Sequence, residues 1–247
     1  MPTERNGNCT MLLTLAITLI GSVVVFGQSS NPEFRVPTHK AFNYAYMLSG
    51  TFININQENS SQNGDQNALP YDILAFTITP VVVTALQPAL TFTVDQYVNG
   101  RPARYHLMTV FEDDEGLVNL KHYIIPNNLT ASDVPNLQLE DIVEEAGCTA
   151  KYSTVTNKLF VGYWPACTQY EVNVPQRYVV TITCEAFTMS VPATQNQPES
   201  SYDLPYINYK IEQYPLPASV LEQAGDFQPS CAKNRNAEIK CSTRDRL

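Results

Sequence analysis

Charge is scarce in this chain: 16% of its 247 residues are Asp, Glu, Lys or Arg, against roughly 25% in ordinary globular proteins. Basic residues are the scarcest, 15 Lys and Arg against 24 Asp and Glu, for a formal net charge of −9. That balance argues against a nucleic-acid partner, whose phosphates need Lys and Arg to neutralise them. It leaves only diffuse attraction for cations. The three histidines, His39, His106 and His122, are scattered, and no Cys-x-x-Cys or Cys/His cluster occurs. No zinc or other metal site is therefore expected. Gly-x-Ser-x-Gly, His-Glu-x-x-His and catalytic-cysteine signatures are also missing, so no catalytic residue is assigned. No 20–50-residue repeat is visible, which sets solenoids and propellers aside.

The one long apolar run lies at the N-terminus. Met11 to Phe26 (MLLTLAITLIGSVVVF) carries no charge, and Val25 and Gly27 stand three and one positions before Gln28. Sixteen apolar residues are short against the roughly 20 that span a bilayer. The pattern reads as a signal peptide over residues 1–27, cleaved before Gln28, and a secreted protein with no membrane contact afterwards. Two sequons remain, Asn59-Ser60-Ser61 and Asn128-Leu129-Thr130, both in polar, turn-like stretches that suit glycans.

Five cysteines survive cleavage: Cys148, Cys167, Cys184, Cys231 and Cys241. In an oxidising compartment they read as disulfide partners. Cys148 and Cys167 are symmetric about Asn157-Lys158, so a hairpin turning there brings them together across its open end. Cys231 and Cys241 then pair by elimination. The odd count leaves one free thiol or an intermolecular bridge, and Cys184, inside the apolar stretch Tyr178–Met189, is expected to be a buried thiol.

Hydrophobic periodicity places a loose arm at 28–37 and a helix from the Thr38 cap to Ser49, stopped by Gly50. From Thr51 the period becomes two. Strands are expected from Phe52 and over Ile73–Val83, Leu90–Val98, Tyr105–Phe111, Leu117–Ile125, Ala150–Ser153, Lys158–Tyr163 and Tyr178–Met189. A polar loop spans Gln57 to Ala68, and a second helix is expected over Leu137–Glu145 with a solvated acidic face. Asn99-Gly100 and Asp113–Gly116 supply turns between successive strands, which makes the sheet an antiparallel meander. Residues 195–247 are rich in Pro, Gln and Asn and read as an irregular tail, with one strand at Tyr206–Ile211.

The order Tyr46-Met47-Leu48-Ser49-Gly50-Thr51-Phe52 with Asn54 and Gln57, then Val94-Asp95-Gln96 and Arg101-Pro102-Ala103-Arg104, resembles the T-type phycobilin lyases (CpcT/CpeT). The run Gly147-Cys148, Phe160-Val161-Gly162 and Cys167 extends the likeness, which covers residues 42–190. The resemblance implies an all-β fold: a single antiparallel calycin-like β-barrel with a short N-terminal helix. The barrel domain would occupy 28–194, with the Cys-bearing extension 195–247 outside it. It also implies a homodimer, and an open-chain tetrapyrrole (a bilin) as ligand or cofactor. The family's Pro-Tyr-Arg-Gln-Arg appears here as Pro102-Ala103-Arg104-Tyr105-His106, its glutamate before Gln96 is Asp95, and its Trp-Gly ending has no counterpart. The fold survives such changes more readily than the lyase activity does.

The expected function is a secreted, non-enzymatic barrel that binds a small anionic or tetrapyrrole-like ligand. Asp95, Gln96, Arg104 and His106 are the candidate site. Arg104 and His106 share a strand face and form a cationic pair for a carboxylate, while Asp95 and Gln96 lie on opposite faces, so only one of them can join. On this reading Arg104→Ala weakens binding on the order of 10- to 150-fold and spares the fold. The alternative is a structural component of an extracellular organic matrix, calcified or not, held by packing and cross-links. A chromophore lyase is the least supported class.

Overall fold

The computed structural model describes residues 31–55, 73–126, 129–167, 176–190 and 205–232. The signal segment, the 57–68 loop, Asn59, Asn128 and Cys241 lie outside the described residues, as do the side chains of 164–167 and 176–178. Helix α1 (His39–Leu48) precedes strands β1 (Gly50–Ile53), β2 (Leu74–Val81), β3 (Leu90–Val98), β4 (Arg101–Glu112) and β5 (Val118–Ile124). There follow β6 (Val143–Glu144), β7 (Ala150–Thr156), β8 (Leu159–Cys167), β9 (Gln176–Thr183), β10 (Ala186–Ser190) and β11 (Tyr206–Glu212), then helix α2 (Ala218–Ala224). Ten of the strands close an antiparallel barrel, running β1-β2-β3-β4-β5-β7-β8-β9-β10-β11 and back to β1. The two-residue β6 takes the stretch of β5's edge that β7 leaves uncovered.

Turn chemistry sets much of this register. Asn99 and Gly100 both have positive φ, 51° and 74°, as a two-residue turn matched to strand twist requires. At the next turn the Asp113 carboxylate accepts from the backbone of Glu115 and Leu117, each at 3.0 Å. Asn157-Lys158 joins β7 to β8 as expected, with Thr156 opposite Leu159.

Four expectations are corrected. The stretch Tyr178–Met189 is two strands, β9 and β10. Its hidden turn is organised by Thr183, whose hydroxyl accepts from the backbone N–H of Glu185 (3.3 Å) and Ala186 (3.1 Å). Leu137–Glu145 is no helix but 3-10 turns at Val134–Asn136 and Leu139–Asp141 followed by β6. Pro135, the β-branched Ile142-Val143 and the unbalanced acidic pairs all work against a longer helix. The barrel does not end at residue 194: β11 pairs with both β10 and β1 and closes the sheet, and α2 follows it. The arm before α1 is also docked. Glu33, 1% exposed, accepts from Thr109 Oγ1 (2.8 Å), Lys121 Nζ (3.0 Å) and the Tyr123 hydroxyl on the outer face of β4 and β5.

Helix α1 begins at Thr38, whose hydroxyl accepts from the Ala41 N–H at 3.2 Å. It is buried nearly all round, with Ala41, Phe42, Tyr44, Ala45 and Met47 at 1% exposure or less. It closes the barrel end that carries the β4–β5 and β7–β8 turns. Lys40 binds Glu112 and the Gly116 carbonyl, and Asn43 Nδ2 donates to the Asn157 carbonyl at 2.6 Å. The opposite end, with the Asn99-Gly100 turn, has no such plug among the described residues.

Below α1 the Tyr44 ring packs on Tyr152 (centroids 4.8 Å apart) and edge-on to Phe160 (5.2 Å). Tyr152 fits because residue 162 on the neighbouring strand has no side chain: a Cβ there would stand 2.2 Å from the Tyr152 ring. Gly162→Ala is therefore expected to cost about 1–3 kcal/mol, the range for an overpacked core. Urea unfolding would measure it, and a loss below about 0.5 kcal/mol would show that the ring can move aside.

Disulfide chemistry differs from the sequence expectation. Cys184 is bonded to Cys231, with Cα atoms 5.4 Å apart, so Cys231 is not available to Cys241 and Cys184 is not a free thiol. Elimination failed because the tail folds back over α1 and brings Cys231 beside the β9–β10 turn. Cys148 is disulfide-bonded as expected; the Cys167 side chain lies outside the described ones.

Candidate functional site

Alternation along the strands puts one set of side chains inside the barrel. From β3 these include Val94 and Gln96, from β4 Arg104, His106 and Met108, and from β5 Leu120 and His122. The register confirms the shared face, with Gln96 opposite Arg104, Val94 opposite His106 and Met108 opposite His122. A register shift at Gln96/Tyr97 leaves Ala103 as an extra residue beside Pro102, close to the hairpin end. Proline, with no N–H to give the ladder, suits such a bulge. From that point Arg104, His106 and Met108 descend the inner wall.

These side chains border a cavity of about 80 Å³. Its depth is apolar: Phe76 and Ile78 of β2, Val180 and Ile182 of β9, Phe187 and Met189 of β10, and Leu48 of α1. Its polar residues are Gln96, Arg104, His106 and His122, with the edge of Tyr152. A more open cleft of about 420 Å³ adjoins it on the outer side of the β3–β4 hairpin, among Asp95, Tyr97, Tyr105 and Ile125. Gln96, Arg104 and His106 border both spaces.

Three of the four expected residues thus meet. Asp95 does not, because it projects from the other face of β3 into the outer cleft, where burial raises its carboxyl above the usual range. Two partners were not expected from sequence. His122 lies flat against His106, ring centroids 5.0 Å apart and planes 18° from parallel. Glu145 forms a salt bridge to Arg104 Nη2 and is itself 3% exposed. Its backbone N–H donates to the His122 carbonyl at 2.9 Å, which fixes the loop beyond β6 over the site.

The electrostatics correct the cationic pair expected from sequence. His106 and His122 are 4% and 3% exposed. Burial, then the neighbouring His122 and Arg104, hold His106 well below its usual value. Burial and Arg104 push His122 down to about 3. Both rings are therefore neutral at neutral pH, and the Arg104 charge is matched by Glu145. Neither nitrogen of His106 has a hydrogen-bond partner among the described residues, nor does Glu145 Oε1. Leaving such an atom unpaired costs about 1–3 kcal/mol. The Glu33 carboxylate on the outer wall offers the contrast: both its oxygens are satisfied, as in a purely structural network.

A signal for His122 was present in the sequence. It alternates with Val118 and Leu120 on the apolar face of β5, where a histidine has no solvent to reach. Glu145 carried none, since its place depends on a turn rather than a periodic element. Compared with known proteins, the chain matches no family model and no curated protein.

Proposed function

We infer that the barrel is a secreted, non-enzymatic binding protein for a small anionic ligand. The ligand's head meets Arg104, His106 and Gln96, and its apolar body lies among Val94, Met108 and Phe187. The observation that carries this reading is His106, buried with both ring nitrogens unpartnered at the polar end of an otherwise apolar cavity. Such atoms are costly unless a partner meets them. Secretion is supported by the charge-free N-terminal run, and the disulfide is compatible with it.

Size then selects among ligands. At roughly 10–15 Å³ per water-sized group, a cavity of about 80 Å³ holds about five to eight such groups. A short carboxylate fits. A tetrapyrrole, to which the likeness to phycobilin lyases points, would need the outer cleft as well.

Calorimetric titration of the full chain with hexanoate at about pH 6 should show saturable binding. Val180→Phe, which fills the cavity from β9, should weaken it by at least about tenfold, or 1.4 kcal/mol, at unchanged melting temperature. A biliverdin titration that saturates with a shifted visible band would assign the tetrapyrrole form instead. If neither probe binds, the interior is only a core, and a scaffolding role in an extracellular matrix takes its place.

A further inference from the structure

Resting on that binding reading, we propose that the ligand's head is a single carboxylate that enters together with one proton, which His106 holds as the imidazolium facing it. The argument starts from the charge already in the site. Arg104 is compensated by Glu145, and the stacked His106 and His122 are neutral. A carboxylate entering alone would place one net negative charge in a buried site whose own charge sums to zero, and an unpaired buried charge is strongly disfavoured. A carboxylate that brings a proton adds no net charge.

The geometry supplies a place for both. Arg104 commits Nη2 to Glu145, while a guanidinium has five N–H donors in a planar fork suited to carboxylate oxygens. His106 lies two residues further along the same inner face of β4 and has two unpartnered nitrogens. Neutral imidazole offers one N–H and one lone pair. Once the lone-pair nitrogen takes the proton, the ring presents two donors, one of which can face the second carboxylate oxygen. The balance is simple: ligand carboxylate, one proton from solvent and neutral His106 give the carboxylate–imidazolium pair, and no bond other than N–H forms or breaks.

Around His106 in the cavity are Gln96 from β3, Arg104 on its own strand, His122 from β5, Tyr152 from β7 and Glu145 through its pair with Arg104, and in the outer cleft that His106 also borders stand Asp95 of β3 and Tyr105 of β4. His122 and Arg104 both disfavour the imidazolium in the empty site. The entering negative charge opposes them. Protonation is thereby tied to occupancy.

The sign follows from linkage. The free protein binds no proton at His106 near neutrality and the complex binds one, so affinity rises as pH falls. The gain stops where the free ligand itself becomes protonated, near about 4.3 for an ordinary carboxyl group. Hexanoate and the uncharged hexanol, titrated at about pH 5.5, 6.5 and 7.5 in buffers of different ionisation enthalpy, test this directly. We expect uptake of about one proton per hexanoate, binding about tenfold weaker per pH unit, and hexanol binding that does not change with pH. His106→Asn should abolish the proton uptake and flatten the hexanoate profile. Hexanoate binding with no proton uptake, or uptake unchanged in His106→Asn, overturns the proposal and leaves the binding reading intact. If neither compound binds at any pH, this proposal falls, and the biliverdin titration alone then decides whether the binding reading stands. If the variant fails to fold, the unmodified protein still tests the coupling, because hexanoate binding without proton uptake overturns the proposal.

Discussion

Replacing Arg104 with alanine should destabilise the barrel by about 3–5 kcal/mol, the range for removing one partner of a buried ion pair. The side chains of Arg104 and Glu145 are 21% and 3% exposed. Removing the guanidinium leaves a carboxylate inside the wall with one oxygen, Oε1, already lacking a partner. The sequence expectation, weaker binding with an intact fold, does not allow for this, because Glu145 is distant in sequence and its pairing was not visible. A double replacement separates charge from packing. Arg104→Met with Glu145→Gln removes both charges and keeps most of the volume, and should recover the greater part of the loss, since neutral replacements of a buried pair are often harmless. Urea unfolding of the two singles and the double measures the coupling. A loss under about 1 kcal/mol in Arg104→Ala would mean that the pair is screened by solvent and carries little of the local structure.

The same pair shows how far the sequence could be read. Strand β3 was legible to the residue, Leu90–Val98, because its apolar positions alternate and Asn99-Gly100 ends it. Alternation along β4 likewise put Arg104 and His106 on one face, and alternation along β3 separated Asp95 from Gln96; that the shared face turns inward was not legible. The β9–β10 turn was hidden because Cys184-Glu185 contains none of the Gly, Asn or Pro that mark turns, and the work falls to the Thr183 hydroxyl. Strand β11 was read as part of a tail because barrel closure is a property of the whole sheet. Besides β10, the strand just before it, its partner is the first strand, far away in sequence. The chemistry of the site was legible only in part. Charge states depend on burial and on neighbours from other elements, so the Arg104 and His106 pair that looks cationic in sequence becomes a compensated arginine and a neutral ring, stacked on the neutral ring of His122.

Breaking the Cys184–Cys231 bond should lower stability by about 4 kcal/mol. The two residues are 47 apart in sequence, and the chain-entropy relation for a loop of that length gives about 4 kcal/mol at 25 °C. For a domain of this size that corresponds to a melting temperature roughly 8–16 °C lower. The location of the bond says which part loosens first. It ties the β9–β10 turn to the segment after α2, which lies over helix α1. In that segment Phe227 stacks on His39 with centroids 5.0 Å apart, and the Ser230 N–H donates to Asn43 Oδ1 at 2.9 Å. Without the bond this cover should open before the barrel, whose strands are joined by their own ladders, so hydrogen exchange should rise first in α1 and in residues 226–232. Cys184→Ala and Cys231→Ala remove the same bond and should lose the same amount, and the double variant no more than either single. Cys241→Ala should leave the bond in place, because residue 241 has no part in it. Peptide mapping of the unreduced protein provides a direct check: the peptide containing Cys184 should be recovered linked to the one containing Cys231. Recovery of Cys231 linked to Cys241 would restore the tail pairing expected from sequence and remove the tether over α1.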